Sequence, residues 1–249
     1  MLDFTTGEIL VAGSSIAVVV LLTVLGQFLY ATDYISGEYA RKFIHMLSAA
    51  WIASWMFFME QSSIIAIGLF LIAGAFIARN LRHTLLKIPR NKIKKKSGVP
   101  TNILRKLLRL LDAVYSVRRP TYGEVGYGIG IVLAALITSN PYVFGLSIIN
   151  LGFADGLAAV VGTKYGKRYF KILGAKKSRI GTYTCFVFVV LSGLLFWFIA
   201  DTIDVSTFAV SLHVVSAGLI ITCLELLGRK GLDNIFIPAA TALLYSIAV

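Results

Sequence analysis

Residues 164–180 read KYGKRYFKILGAKKSRI, and they separate two apolar runs, YVFGLSIINLGFADGLAAVVGT at 142–163 and GTYTCFVFVVLSGLLFWFIA at 181–200. Seven bases (Lys164, Lys167, Arg168, Lys171, Lys176, Lys177 and Arg179) fall in the connection, with no acid among them. A soluble amphipathic helix would spread its charges along one face of its own length. Here they are expelled from the runs into the segment between them, as expected when the runs lie in lipid. At about 1.5 Å of rise per residue, about 20 apolar residues cross a hydrocarbon core of ~30 Å. Backbone groups in lipid must be satisfied within a helix or a closed barrel, and these runs lack the strand-like alternation of a barrel. They are expected to be helices.

The same pattern extends in both directions. The 249 residues are 57% hydrophobic and 14% charged, whereas an average soluble domain has roughly 25% charged residues. Eight spans are read, at 9–31, 43–60, 62–78, 125–139, 142–163, 181–200, 205–226 and 234–249. The expected fold is an all-α polytopic transmembrane bundle, a single membrane domain over 1–249. The first run is longer than the apolar part of a typical signal peptide and follows acids rather than bases, so it reads as a span and not a cleaved leader.

Net charge is +12, which by itself would suit a nucleic-acid binder. Its location excludes that reading. With the spans numbered alternately, the segments 32–42, 79–124, 164–180 and 227–233 fall on one face. They hold 2, 13, 7 and 2 bases, which accounts for all 24 Lys and Arg. The other face receives Asp3, Glu8, Glu60, Asp201 and Asp204 and no base. Bases collect on the cytoplasmic side of membrane proteins, so that face is expected inside and both termini outside. Within 79–124, Thr101-Asn102 is expected to cap a basic amphipathic helix through Tyr115. Ile103, Leu107, Leu111 and Val114 share its apolar face, suited to an anionic lipid surface. Cys185 and Cys223 lie inside spans and read as packing residues, and no metal-ligand spacing occurs.

Charged groups within or beside spans are costly, and those that persist mark candidate sites. Glu38, Arg41, Lys42 and His45 recur at intervals of three and four, so they share one helix face. Arg41 and Lys42 alone would suit a charged flank; a carboxylate and an imidazole beside them suit a site. Glu124 precedes a span with Gly126, Gly128 and Gly130, which allow close helix approach. Asp155, between Ala154 and Gly156, lies about 12 Å above the cytoplasmic end of its span. The turn from Lys177 and Ser178 to Gly181 and Thr182 opens the next span, where N–H groups and hydroxyls can meet a phosphate. Glu225 closes the seventh span, while Asp233 and Asn234 cap or equip the eighth. Carboxylates for Mg²⁺ or a hydroxyl proton, with bases and a helix N-terminus for phosphates, make an inventory for phosphoryl transfer at a membrane.

In order along the chain, these motifs resemble the kinases that phosphorylate lipid alcohols with CTP: dolichol kinase, phytol kinase and the yeast-type diacylglycerol kinase. The likeness rests on Glu38-x-x-Arg41-Lys42-x-x-His45, Gly123-Glu124, Ala154-Asp155-Gly156-Leu157-Ala158 with Gly162 and Gly166, Lys177-Ser178-x-x-Gly181-Thr182, and Glu225 with Asp233-Asn234. One position departs, Ile180, where the family usually has Glu. The resemblance implies an enzyme that transfers the γ-phosphoryl of CTP to a membrane isoprenoid alcohol or, less in keeping, to diacylglycerol. It implies catalytic roles for Asp155, Glu38, His45, Arg41 and Lys42, and a nucleotide site at Gly162, Gly166, Lys177, Ser178, Gly181, Thr182, Asp233 and Asn234. Glu124 and Glu225 would lie in the same pocket, with Mg²⁺ at Asp155. Two other readings stand beside it. A phosphatidate cytidylyltransferase would also join CTP to lipid, but its His-Gly-Gly and Asp-Arg signature is absent. A lipid transporter or scramblase would carry polar residues on to the outer leaflet, where these spans are apolar apart from residues such as His213.

Overall fold

The computed structural model describes residues 5–32, 34–87, 123–200, 206–228 and 231–248. The expected amphipathic helix after Thr101 and the run Lys92 to Lys96 lie outside them. The helices are α1 (Thr6–Ala31), α2 (Gly37–Ile52), α3 (Gln61–Lys87), α4 (Gly123–Ile137), α5 (Pro141–Ile149), α6 (Asp155–Tyr165), α7 (Arg179–Ile199), α8 (Thr207–Leu227) and α9 (Asp233–Ser246).

Polar caps fix several helix starts. Thr5 and Glu8 form a capping box on α1, Asn140 caps α5 with Pro141 behind it, and Ser206 caps α8. Glu8 also accepts the backbone N–H of Glu60 at 3.1 Å, which ties the start of α1 to the start of α3.

Each expected span holds helix, but lengths differ. Thr6–Tyr30, Pro141–Tyr165, Arg179–Ile199 and Thr207–Leu227 are long and apolar enough to cross a membrane. Gln61–Ile77 and Gly123–Ile137 are shorter apolar helices. The second expected span, 43–60, is instead α2 from Gly37 followed by a 3₁₀ turn at Trp55–Phe57. Starting at Gly37, with Ser36 as its cap, places Glu38, Arg41, Lys42 and His45 all on the helix.

Small residues let the helices approach closely, and large side chains such as Trp55, Phe144 and Tyr245 fill the space between them. Ala49, Ala134, Ala135 and Ala154 are fully buried, whereas Phe70, Phe198 and Phe208 are exposed. Two apolar clusters result. One joins α2, α3, α4 and α5 with Ala242 of α9; the other joins α5 and α6 to α7, α8 and α9. They share the rod Pro141–Tyr165, in which a π turn at Asn150–Ala154 connects α5 to α6. The glycines around Asp155 therefore do not break this helix; the turn widens and the rod continues. Asn150, fully buried in the π turn, pins the rod in place. It accepts from Ser192 Oγ at 2.8 Å and donates to Thr241 Oγ1 at 3.5 Å, reaching α7 and α9.

The connection 164–180 holds structure that its charge pattern did not announce. Strands β1 (Tyr169–Ile172) and β2 (Ala175–Ser178) form an antiparallel hairpin, with Tyr169 opposite Ser178 and Lys171 opposite Lys176. Its two-residue turn has Leu173 at φ 47° and Gly174 at φ 79°, the positive values that tight hairpin turns require. The expected turn at Ser178 to Thr182 is the passage from β2 into α7.

Candidate functional site

The ends of α2, α6, α7, α8 and α9 and the hairpin enclose a cavity of about 870 Å³. Close backbone approaches place these elements. At Gly152 an added Cβ would run into the side chain of Ala49, so α2 lies directly on the π turn. At Gly162 an added Cβ would lie 2.5 Å from Ser178 Oγ and 3.3 Å from Gly181 Cα; at Gly181 it would lie 2.6 Å from Ala158 O. These two glycines let the start of α7 settle against α6. Ser178 caps that start by accepting the Gly181 N–H at 3.1 Å, and Thr182 Oγ1 donates to Ser178 O at 3.2 Å.

Behind the cavity, α4 presents Gly126 to the turn before α9 and Gly130 to α9 itself, at Asn234 and Pro238. A Cβ at Gly126 would meet Gly231 O at 2.6 Å. Asn234 donates to Gly123 O at 2.8 Å, which holds Asp233 at the cavity wall.

Two buried ion pairs dominate the interior. Lys42 pairs with Asp155, each under 10% exposed. Lys177 pairs with Glu225 and also donates to its backbone carbonyl at 3.1 Å. Burial pushes the Lys177 pKa down, but the Glu225 carboxylate more than offsets this and holds it above its ordinary value. At the rim, Arg41 and Glu38 pair at 3.3 Å and remain partly exposed. The lining thus carries four bases and four acids (Arg41, Lys42, Lys176, Lys177; Glu38, Asp155, Glu225, Asp233). An anionic ligand would find the two inner lysines already aimed by carboxylates.

Of the expected site residues, Glu38, Arg41, Lys42, Asp155, Gly162, Lys177, Ser178, Gly181, Thr182, Glu225 and Asp233 line this cavity. The remaining four do not. His45 is turned behind the wall, with Nε2 3.3 Å from Leu151 O and its ring 4.8 Å from that of Tyr127. Gly166 ends α6, its N–H bonded to Gly162 O at 3.2 Å. Asn234 serves the α4 contact, and Glu124 sits in the first turn of α4, away from the lining.

Tyr169 and Lys176 are lining residues that sequence reasoning had not singled out as a pair; Lys176 Nζ lies 4.1 Å from the Tyr169 ring centre. The hairpin register makes the contact, and nothing in the residue spacing indicates that register. Among the described residues no group of three or more His, Cys, Asp or Glu is placed to hold a metal ion by itself.

Over 147 residues the chain is 31% identical to phytol kinase from Synechocystis sp., an alignment covering 57% of this chain and 61% of that protein. The chain thus matches under two thirds of the relative's length. No family model matches the chain, and no solved structure matches it.

Proposed function

Starting from the chain's homology to phytol kinase, which supports membership of the lipid-alcohol kinases, we propose that it transfers the γ-phosphoryl of CTP to the hydroxyl of a membrane isoprenoid alcohol. The observation that carries this reading is one cavity at the end of an apolar bundle that joins Asp155 and Lys42 to Lys177 and the capped start of α7. An alcohol with a long apolar tail reaches such a cavity from lipid, and a nucleotide reaches it from water.

The chemistry asks mainly for positioning and charge neutralisation. Lys177 and the positive end of the α7 dipole hold the nucleotide phosphates. Lys42 fixes Asp155 in place, and Asp155 orients the lipid hydroxyl and accepts its proton. The hydroxyl oxygen bonds to the γ-phosphorus as the bridge to the β-phosphate breaks and CDP leaves. Mg²⁺ delivered with a nucleotide needs only one or two protein carboxylates, and of the four in the lining Asp155 and Asp233 would hold it; bound there, it would supply charge neutralisation at the phosphates. In the proposed topology this end of the bundle is cytoplasmic and the eight helical stretches alternate across the membrane.

The test is purified protein with CTP and a panel of phytol, geranylgeraniol, polyprenol, dolichol and diacylglycerol. Formation of a monophosphate of at least one isoprenoid alcohol is expected. Folded protein that phosphorylates none of them would refute the reading.

A further inference from the structure

The hairpin does more than wall the cavity. Lys164, Lys167, Arg168, Lys171 and Lys176 are exposed, and none has a carboxylate within ion-pair distance among the described residues. Lys171 stands directly opposite Lys176, which lies over the Tyr169 ring at the cavity, so Lys171 faces a like charge with no carboxylate beside it. The tip adds a second, independent oddity. Leu173 takes φ 47°, a left-handed conformation that a leucine resists and glycine or asparagine adopts readily, yet its side chain is 58% exposed. A strained, exposed leucine contributes nothing to the protein's own packing.

Position supplies the occupant. The hairpin joins Tyr165 and Arg179, the ends of two helices long and apolar enough to cross a membrane, so it emerges at the level of the lipid headgroups. Tyr165, exposed at the end of α6 beside the hairpin, is a residue type that favours that level. We propose that the hairpin docks on anionic phospholipid of its own leaflet, with Lys167, Arg168 and Lys171 on the headgroups and Leu173 inserted at their acyl boundary. Such a basic, apolar-tipped element binds by charge and by buried apolar area together. The inference is independent of the group that the cavity transfers, and its readout is not activity.

A fluorophore sensitive to polarity is attached at Leu173→Cys in a Cys223→Ser background, Cys185 being buried. The protein is placed in nanodiscs of phosphatidylcholine alone or with added phosphatidylglycerol. A blue shift that appears with phosphatidylglycerol and fades at high salt is expected. Each surface cation is worth roughly fivefold in attraction to anionic lipid, so Lys167→Gln, Arg168→Gln and Lys171→Gln together should weaken it by roughly 10²-fold. The circular dichroism of the triple variant checks that the bundle is intact. A label equally water-exposed in both lipids, or a triple variant that responds like its parent, would overturn the proposal. So would a shift produced by soluble pyrophosphate and not by phosphatidylglycerol, which would make the ligand a free polyphosphate.

Discussion

Lys42 and Asp155 are separated by 113 residues in the chain, and their charged groups meet as an ion pair inside the bundle. Neither is explained by its own helix. The pair forms because α2 lies on the π turn at Gly152, and that turn leads directly into Asp155. A buried pair is weak evidence of stability, since both ions lose their water, but breaking it by removing one partner is costly.

That asymmetry gives a first prediction. Lys42→Met should destabilise the protein by about 3–5 kcal/mol by leaving a buried carboxylate alone, while Lys42→Met with Asp155→Leu should recover much of the loss. Thermal unfolding in detergent measures both. A double variant whose loss equals the sum of the losses of Lys42→Met and Asp155→Leu alone would mean that the two charges do not depend on each other.

Lys177→Ala should raise KM for CTP and lower turnover, because the ammonium is assigned to the phosphates. Its pKa is raised above the ordinary 10.5, so the charge is present below that value and is lost only as pH rises through the higher one. KM for CTP should therefore stay nearly flat between about pH 7 and 9. A steep rise in KM across that range would contradict a charged Lys177 at the phosphates.

Gly181→Ala tests the contact between α6 and the start of α7. Its Cβ would lie 2.6 Å from a backbone oxygen, Ala158 O, which cannot swing aside as a side chain can. Overpacking of this kind costs about 1–3 kcal/mol and should displace the phosphate-binding end of α7, raising KM for the nucleotide. Wild-type stability and KM in the variant would show that the approach is not needed.

The arrangement across the membrane is tested by cysteine labelling at Leu173, on the hairpin tip, and at Ser206, the cap of α8. One helix, α7, separates the two connections, so reagents that do not cross the membrane should reach them from opposite sides. Labelling of both from the same side would refute the topology.

Much of this was legible in the sequence. The expulsion of charge from apolar runs located the helices, and the 3.6-residue period placed Glu38, Arg41, Lys42 and His45 on one helix. The cavity gathers eleven of the fifteen expected site residues, since a charge retained beside a span needs a polar place to point. What spacing could not tell was direction within the face. His45, three residues beyond Lys42, is turned behind the wall, where Leu151 O and the Tyr127 ring take it up. The hairpin escaped for a different reason: seven bases mask a strand pattern, and its register depends on the φ values of Leu173 and Gly174. Span lengths were also hidden, because apolar residues continue past the end of α2 into a 3₁₀ turn.

The central claim is transfer of the γ-phosphoryl to a lipid hydroxyl with Asp155 at the reacting end, and position-labelled CTP tests it most directly. The purified protein and its Asp155→Asn variant are given an isoprenoid alcohol with CTP labelled at the γ-phosphorus or, separately, at the α-phosphorus. Wild-type protein should move only the γ label into the lipid phase, and the variant, folded and of similar shape, should do so ~10²-fold more slowly or worse. Entry of the α label into lipid would mean cytidylyl transfer instead, and a folded Asp155→Asn protein with near-normal γ transfer would remove Asp155 from the chemistry.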